Sequence, residues 1–265
     1  MMPEVLDIRR AEEAIDRYLT EPVDDLPPNY PAEIGDGDYR QIGAEFLASM
    51  VRVGGLRPHE HVVDVGCGLG RMARPLQHFL DERARYFGVD VSRSSIDWCQ
   101  RHVVNGDPRF GFAHLDAFHP LYNDGGAVLL EQADLQVLPR PVDFVMMVSV
   151  FTHLSEPMIT RYLAETYAML RKGGRLFATF FLVNDENRDA VPNSPRYPFL
   201  PATGSAIHHL ADDTLLAAVA VEEEWLLKHA IETVGYSLFN RRRGHWWQTA
   251  PTPDTPFQDI VVLQK

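Results

Sequence analysis

Residues 62–71 read VVDVGCGLGR, a stiff run of branched apolar residues and one acid, followed by glycines at 66, 68 and 70. Valine restricts its own side-chain torsion and favours extended chain. Glycine admits conformations and close approaches that a Cβ would block. A buried strand that empties straight into such a loop leaves bare backbone N–H groups at its carboxyl end. Gly70 is read as opening a helix with Met72, Ala73, Leu76 and Phe79 on one face; Pro75 fits that helix only within its first turn. The helix N-terminus then faces the same point as the loop amides, which predicts a ligand there.

From residue 61 onward, apolar strands alternate with amphipathic helices. HVVDV (61–65), RYFGVDV (85–91), RFGFAHLDAF (109–118), VDFVMMVSVF (142–151) and RLFATFFLV (175–183) read as strands. The fourth is the most apolar, as a parallel strand covered on both faces should be. Ser92 is read as the cap of a helix burying Ile96, Cys99 and Val103. Ser155 starts another, burying Met158, Ile159, Tyr162, Leu163, Tyr167 and Leu170 and ending at RKGG (171–174). The stretch 184–218 has no clean period and is long for a connection. A helix is predicted near 219–233, and YSLFNRR (236–242) and FQDIVVLQ (257–264) close the chain as strands. Upstream, 3–20 and about 40–53 read as helices; in the second, Ile42, Phe46, Leu47 and Met50 share a face. Prolines and glycines break the pattern over 21–38. The alternation predicts an open, doubly wound α/β sheet, in which ligands bind beyond the carboxyl ends of the strands.

Acids outnumber Lys plus Arg by 37 to 25, a net charge of −12, which disfavours nucleic acid and anionic membranes as partners. The one concentrated basic run, NRRRG (240–244), reads as a solvated strand end. Two cysteines, Cys67 and Cys99, can build neither a disulfide framework nor a Cys-rich zinc site, and no metal is expected. The first ten residues lack the apolar core of a signal peptide. The longest apolar runs, near 144–154 and 176–183, are too short to span a bilayer. A reducing, cytoplasmic location is expected.

The loop is G-x-G-x-G, without the G-x-G-x-x-G of dinucleotide folds or the lysine of a P-loop. Instead, VVDVGCGLG resembles the first motif of class I S-adenosylmethionine-dependent methyltransferases. Asp90 in YFGVDVS, Asp116 in FAHLDAF, and SVFTHL (149–154) followed by YLAETYAMLRKGGRLFATFF (162–181) fit the same family. LYNDGGAV (121–128) and QDIVVLQK (258–265) resemble its bacterial type 11/12 methyltransferase domain subgroup. The resemblance implies a Rossmann-like seven-stranded sheet of order 3-2-1-4-5-7-6 with strand seven antiparallel. It also implies S-adenosylmethionine as cofactor. The expected organisation is an N-terminal helix and lid or linker over 1–40, and a methyltransferase domain over 41–265 with 184–218 as an acceptor-side insertion.

Carried over residue by residue, the family's cofactor set falls on Asp64, Gly66, Cys67, Gly68, Gly70, Asp90, Val91, Asp116, Ala117 and Ser149. Asp90 would accept the ribose hydroxyls and Asp116 the adenine amino group. Asp64 either meets the methionine end or braces the loop. Cys67 contributes backbone and packing, not a nucleophile. His153, just past strand four, is the candidate general base, or else it packs or caps the next helix. On the acceptor side stand Tyr122, His208, Trp246 and Trp247. The paired tryptophans form either a hydrophobic plug or a pocket wall; His208 and His209 also read as surface residues, and Tyr122 as part of a turn. Arg71 and Arg74 read as partners of surface acids or of an acidic substrate group. The expected reaction is in-line methyl transfer to a small-molecule acceptor, foremost a natural-product or sugar hydroxyl. Nitrogen acceptors, a protein acceptor, or a non-catalytic S-adenosylmethionine-binding partner subunit are the alternatives. The oligomeric state is not specified by the sequence.

Overall fold

The computed structural model describes residues 5–22, 26–27, 37–120, 122–135, 138–210, 217–250 and 255–265. Most of the 21–38 linker, Leu121, and 211–216 of the long segment lie outside them. The chain divides into two compact units, Met1–Met146 and Met147–Lys265.

In the first unit, helix α1 (Val5–Thr20) buries Ala11, Ala14 and Tyr18, spaced three and four residues apart along one stripe. Helix α2 (Tyr39–Arg52) is capped by Asp38, whose carboxylate accepts the Gln41 N–H, and it buries Gly43, Ala44, Leu47, Met50 and Val51. Ile42 and Phe46 are only partly buried, so the inward face is rotated from the predicted one. Strands β1 (Val62–Val65), β2 (Tyr86–Asp90), β3 (Phe110–His114) and β6 (Val142–Met147) run parallel, with Val62 beside both Tyr86 and Phe144, and Tyr86 beside Phe110. Every residue of β1 is buried. Helix α3 (Ala73–Phe79) starts three residues after Gly70, which puts Pro75 in its first turn, where proline is harmless. Helix α4 (Arg93–His102) is capped by Ser92, whose hydroxyl accepts the Ser95 N–H, and it buries Ile96 and Cys99.

β3 stops at His114, so Asp116 is not on it, contrary to the sequence reading. The chain instead bends: Leu115 N–H donates to Asp90 O, and Ala117 starts a short strand β4 (Ala117–Phe118) paired with β5 (Val128–Leu129).

In the second unit, helix α5 (Glu156–Met169) buries Met158, Ile159, Tyr162, Leu163, Thr166 and Met169. It ends before RKGG. Those residues open strand β7 (Leu170–Phe180), because Gly173 N–H donates to Lys265 O and Gly174 O accepts from Lys265 N–H. Strand β13 (Asp259–Gln264) runs antiparallel to β7 and to β12 (Ser237–Arg242). The aperiodic stretch is not structureless. Strands β8 (Leu182–Val183), β9 (Phe199–Pro201), β10 (Ile207–Leu210) and β11 (Val219–Glu222) form a second sheet of order β8-β11-β10-β9. The helix predicted from 219 therefore begins only at Glu223, as α6 (Glu223–Lys228), and runs on as a π turn to Val234.

Among the described residues, the main sheet has seven strands in the hydrogen-bonded order β12-β13-β7-β6-β1-β2-β3. Counting only those strands along the chain gives 3-2-1-4-5-7-6, with the seventh antiparallel, as expected. No helix among the described residues is long and apolar enough to cross a membrane.

Candidate functional site

The glycine loop leaves β1 at Val65. Gly66, Gly68 and Gly70 have φ of 80°, 49° and 73°, the left-handed region that a side chain resists. A Cβ on Gly70 would also lie 2.9 Å from Val103 and 3.1 Å from Cys99 Sγ. The loop is held from β2: Gly66 and Cys67 N–H both donate to Val89 O, and Gly68 N–H donates to Asp90 Oδ2 at 2.7 Å. Tyr39 of α2 donates its hydroxyl to Leu69 O at 2.8 Å, fastening the first unit's helical layer to the loop.

Asp90 ends β2 partly exposed. Its other oxygen accepts Ser92 N–H at 2.8 Å. Burial pushes its carboxyl up, and backbone N–H bonds pull it back towards the ionised form. A carboxylate oxygen can take two hydrogen bonds, so each oxygen keeps room for one more donor. Two adjacent hydroxyls are what such a pair accommodates.

Asp64 is different. It is sealed in the unit, 1% exposed, with the Tyr86 hydroxyl donating to it at 2.6 Å. Desolvation pushes its pKa up to about 7, the Tyr86 bond opposes that, and the neighbouring Asp90 charge adds to it. The loop bracing that was one reading of Asp64 falls to Asp90 and Val89 O. Burial raises the Cys67 thiol well above its ordinary range, against a hydrogen-bonded Cys99, so Cys67 is a packing residue.

Val91 O accepts from His114 Nε2 at 2.9 Å. Asp116 is exposed; its Oδ1 has Ala127 N–H at 3.4 Å and Asn123 Nδ2 at 3.5 Å. Ala117 is buried, and its carbonyl accepts Asn123 Nδ2 at 3.0 Å. Tyr122 is 40% exposed, its ring 4.8 Å from that of His119.

In the second unit, Ser149 lies two residues beyond β6 with φ of 58°, rare for a residue with a side chain and found where surroundings enforce it. His153 closes a short 3-10 turn (Phe151–His153) and is partly buried; Thr152 beside it is buried with an unpartnered hydroxyl. His208 is buried on β10, its Nε2 2.7 Å from Glu222 Oε1, and Glu222 also takes a two-pronged bond from Arg188 at 2.6 and 2.8 Å. Burial pushes Glu222 up, but the Arg188 and His208 bonds win and hold it below the usual range. His208 is therefore not a surface residue. Trp246 is 1% exposed, packed with Phe181, Val183, Val191, Phe199, Ala218 and Ala220, while Trp247 lies partly buried against the same cluster. That is the geometry of a plug for Trp246.

Two residues escaped the sequence reading. Asp259 accepts Leu182 N–H, Gly244 N–H and the Trp246 indole N–H at 3.0, 2.9 and 2.7 Å. Gln258 meets Ser149 and Thr179, 109 and 79 positions away. No local period signals either one. Among the described residues, no group of three or more His, Cys, Asp or Glu is placed to hold a metal ion.

Residues 63–176 match a family model described as a methyltransferase domain. An uncharacterized 37.1 kDa protein in a transposon of Streptomyces fradiae is 25% identical over 159 residues, 59% of this chain; the chain spans only 38% of that relative. Among solved structures, the PH0226 protein of Pyrococcus horikoshii matches with a TM-score of 0.57 at 13% identity, covering 89% of this chain and 96% of that one. The magnesium protoporphyrin IX methyltransferase of Synechocystis, solved with bound S-adenosylhomocysteine, matches at 0.53 and 16%, covering 98% and 93%. A Haloferax volcanii methyltransferase complexed with the Trm112 methyltransferase activator matches at 0.54 and 15%, covering 91% and 99%. The glycine cradle and the half-open Asp90 fit an adenosyl ligand, residues 63–176 are similar to a methyltransferase domain, and the fold is one that solved methyltransferases share.

Proposed function

We propose that the chain methylates a hydroxyl of a small-molecule acceptor by direct in-line displacement. When bound, S-adenosylmethionine supplies a methyl on cationic sulfur, which keeps the bonding pair as an acceptor lone pair forms the new bond. The protein's part is alignment, exclusion of water and removal of the hydroxyl proton. In this reading the left-handed glycines 66, 68 and 70 let the donor come close to the loop backbone, while Asp64, sealed with the Tyr86 hydroxyl, supports the loop's strand from behind. Asp90 and Val91 take its ribose, Asp116 and Ala117 its adenine, and Ser149 completes the set. His153 takes the proton.

The observation that carries the oxygen assignment is His153: an imidazole, whose ordinary pKa lies near neutrality, in the turn that follows the carboxyl end of β6. The net charge of −12 supports a small acceptor over a nucleic acid. Tyr122 and Trp247 have exposed faces to offer the acceptor, while His208 and Trp246 act from within the segment 184–218 and its neighbours, which we assign to the acceptor side. Two free, buried cysteines agree with a reducing, cytoplasmic setting.

The test is transfer of radiolabelled methyl to a cell extract separated by size. Label on small molecules, attached through oxygen, is the expected result; label on protein favours a protein acceptor. Binding without transfer favours a non-catalytic partner subunit. His153→Ala should cut the rate and change its pH profile; a wild-type profile would remove the base assignment.

A further inference from the structure

Gly68 and Gly70 flank Leu69, so the peptide plane on either side of it has a glycine at one end. Such planes turn easily unless their carbonyls are held. Both are held, by groups of the first unit. Cys99 of α4, fully buried, donates its thiol to Gly68 O at 3.3 Å, and Cys67 Sγ lies 3.8 Å from the same oxygen. Tyr39 of α2, 1% exposed, donates its hydroxyl to Leu69 O at 2.8 Å. Burial pushes the Tyr39 hydroxyl far up, so it stays a donor. In a planar trans peptide the N–H points opposite to the C=O. The Gly70 N–H, opposite the Tyr39 bond, turns back to Cys67 O at 3.0 Å. The Leu69 N–H, opposite the Cys99 bond, is aimed away from that thiol. It is the one amide from 66 to 70 with no hydrogen bond among the described residues. Those of Gly66 and Cys67 go to Val89 O, that of Gly68 to Asp90 and that of Gly70 to Cys67 O.

We infer that Tyr39 and Cys99 are positioning residues: they lock the peptides on both sides of Leu69, so that the Leu69 N–H is the loop's donor to the carboxylate at the amino-acid end of the adenosyl ligand. The inference rests on the reading that the glycine loop holds that ligand, and sharpens it. The other four amides brace the loop itself, so a bound molecule meets a single donor there and not a ring of them. An N–H calls for an acceptor, and the carboxylate is the one anionic acceptor that S-adenosylhomocysteine carries. A hydrogen bond to it is charge-assisted and among the stronger kinds. Released from its tether, either plane can flip at its glycine. The 68–69 plane would then withdraw the Leu69 N–H, and the 69–70 plane would bring out a carbonyl oxygen, which repels a carboxylate. Tyr39 thereby gives helix α2 a part in ligand affinity without touching the ligand.

The experiment is calorimetry on the purified full chain with two ligands, S-adenosylhomocysteine and its decarboxylated analogue, in which hydrogen replaces the carboxylate. Wild type should bind S-adenosylhomocysteine at least about tenfold more tightly than the analogue. Tyr39→Phe and Cys99→Ala each remove one donor. Each should lower S-adenosylhomocysteine affinity at least about threefold and change that of the analogue less than about twofold. General loosening of the loop would instead weaken both ligands alike. Tyr39→Phe removes a single oxygen and carries the test if Cys99→Ala does not fold. Hydrogen exchange at the Leu69 amide, followed by NMR, reads the donor itself: S-adenosylhomocysteine should slow it and the analogue should not. Equal affinity of wild type for the two ligands, parallel losses or no loss in the folded variants, or a Leu69 amide no slower in the complex overturns the inference alone. No binding of S-adenosylhomocysteine by wild type overturns the reading of the loop and the inference with it.

Discussion

Asp90 and Asp259 are two carboxylates at strand ends, both pushed upward by burial and both drawn back by backbone N–H bonds. Their surroundings separate them. Asp259 is 3% exposed and takes three donors, two of them on one oxygen. It ties the starts of β8 and of the 244–247 turn to β13, and its burial leaves no oxygen open to a ligand. Asp90 is partly exposed and takes one backbone donor on each oxygen, Gly68 N–H and Ser92 N–H, so it holds the loop and still faces outward. A perturbed carboxylate at a strand end is thus not a site by itself. The lone pairs it has left, and whether solvent reaches them, decide between a latch and a ligand.

That contrast can be broken at the latch first. Asp259→Ala strands three buried donors, each costing about 1–3 kcal/mol. A destabilisation on the order of 5 kcal/mol is expected in denaturant melts, with S-adenosylhomocysteine affinity of the folded fraction retained. A loss below about 1 kcal/mol would mean the three bonds are not made.

Next is Asp64, whose burial leaves its pKa near 7 against an ordinary 3.8. The folded state favours the protonated acid, so ionisation costs stability as pH rises from about 4 to about 7, roughly 4 kcal/mol in full. Asp64→Asn keeps an acceptor for the Tyr86 hydroxyl and removes that cost. Its melting temperature should match wild type near pH 4 and exceed it increasingly up to about pH 8. A constant gap across pH would show that Asp64 does not titrate there.

Trp246→Phe is milder: it keeps an aromatic ring among Phe181 and Phe199 but leaves Asp259 one donor short. About 1–3 kcal/mol should be lost, and Asp259→Asn combined with it should be less than additive. The smallest effect is expected at Arg188, about half exposed, where solvent screens the Glu222 pair. Arg188→Met should cost no more than about 1 kcal/mol by the same melts.

The two regions also differ in how far the sequence reveals them. In the first unit, one strand and three glycines signal the cradle, and Asp90 follows from its place at the end of β2. Asp116 was misplaced because FAHLDAF reads as continuous strand, whereas Leu115 N–H turns aside to Asp90 O. In the second unit, β8 to β11 have two to four residues each, too short for an alternation to show. The aromatic cluster behind them draws on positions from Phe181 to Trp246. RKGG has the composition of a helix end, but pairing with the last residue of the chain outweighs that local preference. Gln258 and Asp259 gain their meaning only from partners far along the chain.

Calorimetry with S-adenosylhomocysteine, on wild type and on Asp90→Ala, bears most directly on the central claim that the glycine loop and Asp90 together hold the adenosyl ligand. Two charge-assisted hydroxyl bonds should be lost, about 3–5 kcal/mol, so affinity should fall by roughly two to three orders of magnitude while the variant stays folded. No binding by wild type, or equal affinity in the folded variant, would contradict it.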